Sequence, residues 1–574
     1  MKVSYLVEIT DPHLHLVKVT LTTQKPANAS TLEVFLPSWS PGSYLMREYS
    51  RHVRWVRATQ ENGEVLWCEQ TAKGTWMVDW QRSELKRSLT GVSFCYEIYL
   101  HELTVRTSHV DYTHAFLHGP SYLMGIVGGE KNPTIEFRFP PLWSKLSTSM
   151  DEVAGPREKF VYTAPDYDTL IDHPVEIGCH ETDGFMVDGI PHALAFYGEV
   201  YPHGNDLKSD MQKAVSEVAH NMGEIPFTHY QFITHFAPKL YGGLEHLNST
   251  ALHFDGRRLG VRKDYLTFMS LTAHEYFHAW NVKRIRPKAL GPFDYRNEGY
   301  TTMLWLAEGL TSFMDDLFVY RAGISTLEEY LDFVKGNLEA YYGTAGRKFH
   351  SLEDSSFNAW IKLYRPDENS KLSSISYYLK GGLVFNVLHA QLQAKGKGID
   401  DLLRLLWQDY KKRPETGLVK EQVYAMVKEL GGDEILADFQ RMVETTQEID
   451  FETTFKTLGC EIVWQEGAPV WIGGEWDFAG DRVLCRGVIM DSPAAKSGLN
   501  AGDEILAMNG LRVLKEDVEK WGQMLKNDQP YELIVSRLGK LTTLDLIPGK
   551  GPRAIKELKI VDRALAESSF KRLS

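Results

Sequence analysis

Residues 271–287, LTAHEYFHAWNVKRIRP, contain the pattern H-E-x-x-H at His274, Glu275 and His278. Residues 265–282 around it carry apolar side chains at helical spacing and lack proline and glycine, which predicts a helix. Residues four apart share one helix face, so the two imidazoles can reach one tetrahedral zinc ion. Glu275 lies one residue further round, near such an ion without being a ligand. The three-letter pattern alone also arises by chance in a chain with 20 histidines.

The composition indicates a globular protein of several domains. The 574 residues exceed what one hydrophobic core covers, and they predict about three to five domains. Hydrophobic residues make up 43% and charged residues 24%, as in ordinary soluble proteins. The net charge of -13 argues against a nucleic-acid partner. The basic run KRIRPK at residues 283–288 predicts a solvated loop.

The N-terminal segment and the cysteines favour a cytoplasmic location. Residues 1–21 alternate in polarity and lack the uninterrupted apolar region of a secretory signal. No apolar run approaches the ~18 residues of a membrane span. The five cysteines are scattered and form no C-x-x-C pair, so the sequence predicts neither a disulfide framework nor a cysteine zinc site.

The pattern of residues changes along the chain and predicts a multidomain α+β protein. Short β-branched and aromatic runs between turn residues predict a β-sandwich-like domain over residues 1–170. Residues 171–325 mix strand and helix patterns and contain the H-E-x-x-H helix, and residues 326–458 predict an α-helical domain. Short strands return over residues 459–552. Residues 553–574 predict a charged C-terminal tail that is helical or frayed.

A catalytic zinc ion needs a third protein ligand and an open fourth position. Residues 300–323 predict a second helix, which projects Glu308 of W-L-A-E-G from a mostly apolar stretch. Glu298 of R-N-E-G-Y is a rival nearer in sequence, in a loop where glutamates are more often solvated or capping residues. The sequence therefore favours Glu308 and one zinc ion per chain.

One further segment has an unusual composition without catalytic spacing. Residues 36–50, LPSWSPGSYLMREYS, are rich in turn residues and aromatic side chains. The pattern predicts core or interface packing for this segment rather than ligand binding.

Four ordered motifs resemble those of the glutamate-zincin metallopeptidases. HEYFHAW followed by WLAEGLTSF resembles the glycyl aminopeptidase family, whose members carry a C-terminal PDZ domain. Y-G-G-L-E-H at residues 241–246 and S-Y-Y-L-K-G at residues 376–381 resemble the glutamate and tyrosine motifs of the broader aminopeptidase N group. The order of the motifs agrees, and the resemblance covers essentially the whole chain. It implies a thermolysin-like zinc catalytic domain at residues 171–325 and a PDZ domain at residues 459–552.

The resemblance implies a role for each residue that matches these motifs. His274, His278 and Glu308 would be zinc ligands, and Glu275 would be the general base. The chain departs from the broader group in having 29 residues between His278 and Glu308, a longer interval. It also has His246 where that group has asparagine.

The other two motifs imply the groups that contact substrate. Tyr378 would stabilise the oxyanion, with the adjacent Tyr377 as its alternative. Glu245 would bind the free α-ammonium group of the substrate. Gly242 and Gly243 would let the substrate backbone approach the edge strand, since neither has a Cβ.

These features predict a zinc aminopeptidase that acts on peptides with a free N-terminus. The resemblance implies a preference for a small N-terminal residue, glycine or alanine. One alternative is a zinc endopeptidase whose PDZ domain recruits longer substrates, and another is a non-catalytic peptide-binding scaffold. The PDZ domain would take either a peptide ligand or an intramolecular contact.

Overall fold

The computed structural model describes residues 2–25, 29–83, 91–129, 131–153 and 160–571. The predicted α+β composition is confirmed, and the chain divides into two compact units. Unit 1 comprises Met1–Thr301, Met314–Ser325 and Leu402–Met426, and unit 2 comprises Thr302–Phe313, Thr326–Asp401 and Val427–Ser574.

The N-terminal part of unit 1 is mostly strands, as the alternating pattern predicts. Two short helices interrupt them, α1 (Gly119–Tyr122) and α2 (Tyr167–Ile171). The strands are β1 (Val3–Asp11), β2 (Leu16–Gln24), β3 (Thr31–Phe35), β4 (Val53–Gln60), β5 (Val65–Ala72), β6 (Thr75–Asp79), β7 (Gly91–Tyr99), β8 (His109–Val110), β9 (His114–Leu117), β10 (Gly125–Ile126), β11 (Thr134–Arg138), β12 (Lys145–Ser147), β13 (Asp151–Glu152), β14 (Phe160–Thr163) and β15 (Val175–Gly178).

Most of these strands form one sheet that folds back on itself. Its order is β10-β3-β6-β5-β4-β7-β2-β1-β11-β14-β13. The hydroxyl of Tyr5 on β1 nevertheless donates to the Met124 carbonyl beside β10, at 2.8 Å. In a flat sheet β1 and β10 would lie roughly 30 Å apart, because neighbouring strands are spaced by about 4.8 Å. The sheet therefore curls around a core to which its inward-facing residues contribute, which accounts for the sandwich-like pattern in the sequence.

The N-terminal domain extends past the predicted boundary at residue 170. Strand β15 belongs to a second sheet of order β12-β15-β9-β8, and it pairs with β9 from Val175↔Leu117 to Gly178↔His114. This long-range pairing has no local sequence signal, so the sequence pattern placed the boundary too early.

The rest of unit 1 holds a five-stranded sheet with helices. Its elements are β16 (Glu181–Val187), β17 (Ile190–Gly198), α3 (Leu207–Met222), β18 (Tyr230–Phe236), β19 (Tyr241–Glu245), β20 (Ser249–Phe254) and α4 (Arg262–Phe277). The sheet order is β16-β17-β18-β20-β19, with β17, β18 and β20 parallel. Strands β18 and β20 are buried at every residue, as expected for central parallel strands. Strand β19 is antiparallel to β20 and forms the edge.

A π-helical turn, Trp305–Gly309, leads directly into α5 (Leu310–Arg321). The helices that follow are α6 (Leu327–Gly343), α7 (Leu352–Phe357), α8 (Ser370–Ser373), α9 (Tyr377–Gln393), α10 (Ile399–Lys412), α11 (Lys420–Glu444) and α12 (Phe451–Thr457). The predicted helical region is therefore present. One boundary between the units falls between Ser325 and Thr326, although Thr302–Phe313 belongs to unit 2 and Leu402–Met426 to unit 1. The π-helical turn joins unit 2 because it packs closely against α9.

The last part of unit 2 consists of short strands and three helices. Its elements are β21 (Cys460–Gln465), β22 (Gly474–Ala479), β23 (Arg482–Val488), α13 (Pro493–Ser497), β24 (Glu504–Met508), β25 (Leu511–Arg512), α14 (Lys515–Met524), β26 (Tyr531–Arg537), β27 (Lys540–Leu546), β28 (Ala554–Ile560) and α15 (Arg563–Phe570). Strands β22 to β27 form one sheet with a hydrophobic core of its own.

The region predicted as a tail is ordered as a strand and a helix. Strand β28 pairs antiparallel with β21, and Phe570 at the end of α15 is fully buried. The charged composition did not predict this strand pairing, because the partner strand β21 lies about a hundred residues earlier. The last predicted tail residues, 572–574, lie outside the described residues, as do residues 1, 26–28, 84–90, 130 and 154–159 of the predicted N-terminal domain. Among the described residues, no helix combines the length and the apolar character needed to cross a membrane.

The close packing of α9 gives a test of the fold. A Cβ on Gly381 would lie 2.8 Å from the Cα of Gly309, which is backbone and cannot turn aside. Gly381→Ala is expected to lower the free energy of unfolding of unit 2 by about 1–3 kcal/mol. Gly336→Ala is the matched control, because a Cβ there meets open space, and it should raise stability by about 0.5–1 kcal/mol. Urea denaturation measures both effects. An unchanged free energy of unfolding in Gly381→Ala would contradict the close packing of α9.

Candidate active site

The two histidines lie at the C-terminal end of α4, which is helical as predicted. The helix is buried along most of its length, with Phe268, Met269 and Phe277 fully inaccessible. His274 lies in its last turn, and His278 follows as the C-terminal cap in α conformation. The two imidazole centroids are 4.7 Å apart, with ring planes at 85°. Both rings therefore occupy one face of the same helix end.

Hydrogen bonds orient both imidazoles in the same way. Nδ1 of His274 lies 2.8 Å from Oδ2 of Asp315, and Nδ1 of His278 lies 2.5 Å from the Asn281 carbonyl. A carbonyl oxygen only accepts, so Nδ1 of His278 donates and Nε2 keeps its lone pair. The Asp315 carboxylate does the same for His274. Metal-binding histidines usually donate their second ring nitrogen in this manner, so the pair fits a metal ion.

Strand β19 lies against this helix end. A Cβ added to Gly243 would fall 2.2 Å from Oε1 of Glu275, so only glycine lets the strand approach so closely. Glu245, Glu275 and His278 place ligand-capable atoms within 4.8 Å of one another, and all three are buried. Gly242 lies in the same edge strand. Unit 1 thus brings together the predicted glutamate motif and the H-E-x-x-H motif.

A loop of the N-terminal domain closes against Glu245. A Cβ on Gly42 would fall 2.5 Å from both carboxylate oxygens of Glu245, and Gly42 has a left-handed φ of 81°. Gly42 belongs to the segment 36–50, for which the sequence predicted packing rather than ligand binding. Its S-P-G-S turn signal predicts the loop, whereas its position at the site depends on long-range folding.

Asp172 connects β19 to the segment that follows α4. Its carboxylate accepts hydrogen bonds from Nδ1 of His246 at 3.2 Å, from Nζ of Lys283 at 2.7 Å and from the Leu247 amide at 2.8 Å. Burial alone would raise the pKa of Asp172, but Lys283 and His246 outweigh it and hold that pKa below its ordinary value. His246, which departs from the broader group, thus anchors the strand that carries Glu245. No sequence motif predicted a role for Asp172.

A cavity of about 150 Å³ adjoins Glu245 within unit 1. About half of its lining residues are aromatic or aliphatic, including Trp39, Phe293 and Tyr295, and six are charged, Asp172 among them. A pocket that combines apolar walls with charged groups is typical of a small-molecule or peptide site.

Unit 2 carries the remaining predicted residues. Glu308 lies in the π-helical turn and is 2% exposed, whereas its rival Glu298 is exposed to solvent. Tyr378 stands at the start of α9, with its amide donating to the Ser376 hydroxyl at 3.2 Å. Burial raises the pKa of Tyr378 well above its ordinary value, and the nearby Glu308 charge adds to this. Tyr377 is completely buried, while Tyr378 is only partly so.

Two models of one protein family match this chain. The family model of the M61 glycyl aminopeptidases matches residues 267–384, and the model of the M61 N-terminal domain matches residues 4–179. No curated protein is similar enough to this chain to match it.

A solved structure with the same fold is known. A crystal structure of an aminopeptidase N family protein from Idiomarina loihiensis is 28% identical, covers 99% of this chain and 100% of its own, and superposes with a TM-score of 0.91. The likeness is weaker to an M1 zinc metallopeptidase from Deinococcus radiodurans, which is 13% identical over 78% of this chain and 94% of its own, with a TM-score of 0.49. The two family models together span about half of the chain, so the chain belongs to the M61 glycyl aminopeptidase family and is a metallopeptidase of the aminopeptidase class.

Proposed function

We propose that the chain is a zinc aminopeptidase that hydrolyses the first peptide bond of peptides with a free N-terminus. The proposal depends on Glu245 and Glu275, two buried carboxylates whose oxygens, with a nitrogen of His278, lie within 4.8 Å of one another. Among the described residues, the Glu245 carboxylate has no hydrogen-bond or ion-pair partner. Like charges this close in a buried site need positive charge beside them. A zinc ion next to Glu275 and a substrate ammonium next to Glu245 supply it.

His274, His278 and Glu308 are the proposed ligands of one zinc ion. The orientation of both imidazoles through Nδ1 supports the two histidines. Glu308 lies in the buried π-helical turn that leads into α5. Its burial also favours Glu308 over the exposed Glu298.

The proposed reaction assigns one task to each remaining group. When bound, zinc polarises the scissile carbonyl and lowers the pKa of water to about 7. Glu275 takes the proton of the attacking water and passes it to the leaving amine. Tyr378, kept protonated by its raised pKa, donates to the oxyanion. Glu245 binds the α-ammonium group, and Gly242 and Gly243 leave room for the substrate backbone.

Two further assignments concern the N-terminal residue of the substrate and the sheet β22–β27. The preference for glycine or alanine at the substrate N-terminus, like the cytoplasmic location, stays a prediction. For the sheet β22–β27 we favour a PDZ domain, which its two helices and separate core support. Nζ of Lys371 meets Oε1 of Glu475 on β22 at 2.5 Å, which favours an intramolecular contact over peptide capture.

If Glu275 is the general base, its substitution should lower turnover without releasing the zinc ion. Glu275→Gln is expected to retain zinc and to lose roughly 10²–10⁴-fold in kcat, because the proton acceptor is gone while the ligands remain. Glu308→Gln is expected to lose zinc, and the matched control Glu298→Gln to keep both zinc and activity. Metal content and kcat on an alanyl peptide measure these effects. Loss of zinc from Glu275→Gln would overturn the base role, and loss from Glu298→Gln would make Glu298 the ligand.

The amine-binding role predicts a requirement for a free N-terminus. Zinc-loaded protein should cleave a glycyl or alanyl peptide but not its N-acetylated twin, which has no ammonium group. Glu245→Gln should lower kcat/KM for the free peptide by about thirtyfold or more, since a charged hydrogen bond contributes about 2 kcal/mol. Equal cleavage of both peptides would indicate an endopeptidase. No cleavage of either with zinc bound would favour the peptide-binding scaffold.

The hydrogen bond from His274 predicts a positioning role for Asp315. Asp315→Asn keeps an acceptor for Nδ1 but removes its charge, so zinc affinity should fall roughly 10–100-fold. Competition with a chromophoric chelator measures the dissociation constant. Asp332→Asn, an exposed aspartate on α6, is the matched control and should change nothing. Unaltered affinity in Asp315→Asn would show that the carboxylate does not support the metal ligand.

A further inference from the structure

A second group of potential metal ligands lies in unit 1, in the turn between β8 and β9. The turn has the sequence HVDYTH, residues 109–114, with ligand-capable side chains at its first, third and sixth positions. His109, Asp111 and His114 each place one ligand-capable atom within 4.8 Å of the other two. The proposed peptidase reaction uses none of them.

His109 is buried and faces Asp111 through one ring nitrogen. The residue is 8% exposed, and its Nε2 lies 3.1 Å from Oδ2 of Asp111. Its Nδ1 is buried without a hydrogen-bond partner among the described atoms. Two ligand atoms on a tetrahedral zinc ion at about 2.0–2.2 Å lie roughly 3.3 Å apart. The 3.1 Å spacing therefore accommodates a shared ion in place of the shared proton.

The turn holds Asp111 in position with one oxygen and leaves the other for a ligand role. Oδ1 accepts from the amide of Thr113 at 2.6 Å and from the amide of His114 at 3.1 Å. Oδ2 faces His109. Asp111 is only partly buried and Tyr112 is 56% exposed, so an ion can enter from solvent.

His114 is oriented as metal-binding histidines usually are. Its Nδ1 lies 2.8 Å from Oε1 of Glu176, a completely buried carboxylate, and its ring stacks on Tyr197 at 3.6 Å. The other oxygen of Glu176 lies 2.9 Å from Nε2 of His235. An outer carboxylate that holds Nδ1 leaves Nε2 for a metal ion. Glu176 thus supports His114 in the way that Asp315 supports His274.

We propose that His109, Asp111 and His114 bind a second divalent cation, with zinc favoured by the two-imidazole, one-carboxylate set. The fourth position is left for water or for the exposed His101, whose ring stacks on His109 at 5.0 Å. The ion would clamp the β8–β9 turn. A purely hydrogen-bonded network is the alternative, in which Nε2 of His109 donates to Asp111, and the number of bound metal ions decides between the two.

The test removes the H-E-x-x-H ligands first. Full-length protein carrying His274→Ala and His278→Ala is dialysed against Zn²⁺, and metal per chain is counted by mass spectrometry. About one bound equivalent is expected in this background. Adding Asp111→Asn, which keeps an acceptor for the turn amides, should weaken zinc binding at least about tenfold. His109→Phe, which keeps a ring stacked on His101, should also weaken zinc binding at least about tenfold. His220→Ala removes an exposed histidine on α3 and should have no effect.

Cobalt gives a readout that needs no further variant. Co²⁺ bound to the His274→Ala, His278→Ala protein should give the visible absorption of a tetrahedral imidazole and carboxylate site. No bound zinc and no cobalt spectrum would overturn the second site, as would full binding by Asp111→Asn and His109→Phe. A different result would contradict the proposed function: wild-type protein would bind no more zinc than the protein with His274→Ala and His278→Ala.

Discussion

The site depends on how two imidazoles are held at the end of one helix. Spacing by four residues brings His274 and His278 to one face, but it does not decide which ring nitrogens point outward. That is decided by Asp315 and the Asn281 carbonyl, which take both Nδ1 hydrogens. A free imidazole in water samples either tautomer and many orientations, so this constraint converts a sequence pattern into a pair of converging lone pairs.

The large N-terminal β domain has a direct part in this arrangement. Its loop at Gly42 packs against the Glu245 carboxylate, and its Asp172 ties His246 to Lys283 just after the zinc helix. Strand β19 is therefore held by the helix at Gly243 and by the N-terminal domain at Glu245, two positions on one face of the strand. Under the proposed function this support keeps water away from the Glu245 carboxylate, since exposure to water would weaken its attraction for an ammonium group.

Local patterns predicted much of the fold and most of the candidate site. The helix that carries His274 and His278 follows from apolar spacing without proline or glycine, and the ordered motifs located Glu245, Glu308 and Tyr378. Strand β28 and the extension of the N-terminal domain to β15 were missed, since strand pairing across many residues has no local signal. Gly42, Asp172 and Asp315 were missed for the same reason, because each acts through a partner distant in sequence.

The two carboxylates Glu245 and Glu275 explain why an exopeptidase is the better interpretation of this geometry. An endopeptidase needs only the metal and a general base, and a second buried carboxylate beside them would then be a repulsive charge without compensation. An aminopeptidase needs that charge, since the ammonium group lies one residue from the scissile bond. The proposed function relates the close spacing of Glu245 to Glu275 and His278 to a substrate with one residue on that side. In that proposal the substrate ammonium group offsets the proximity of the two carboxylates, and a requirement for a free amine is expected from electrostatics as well as from shape.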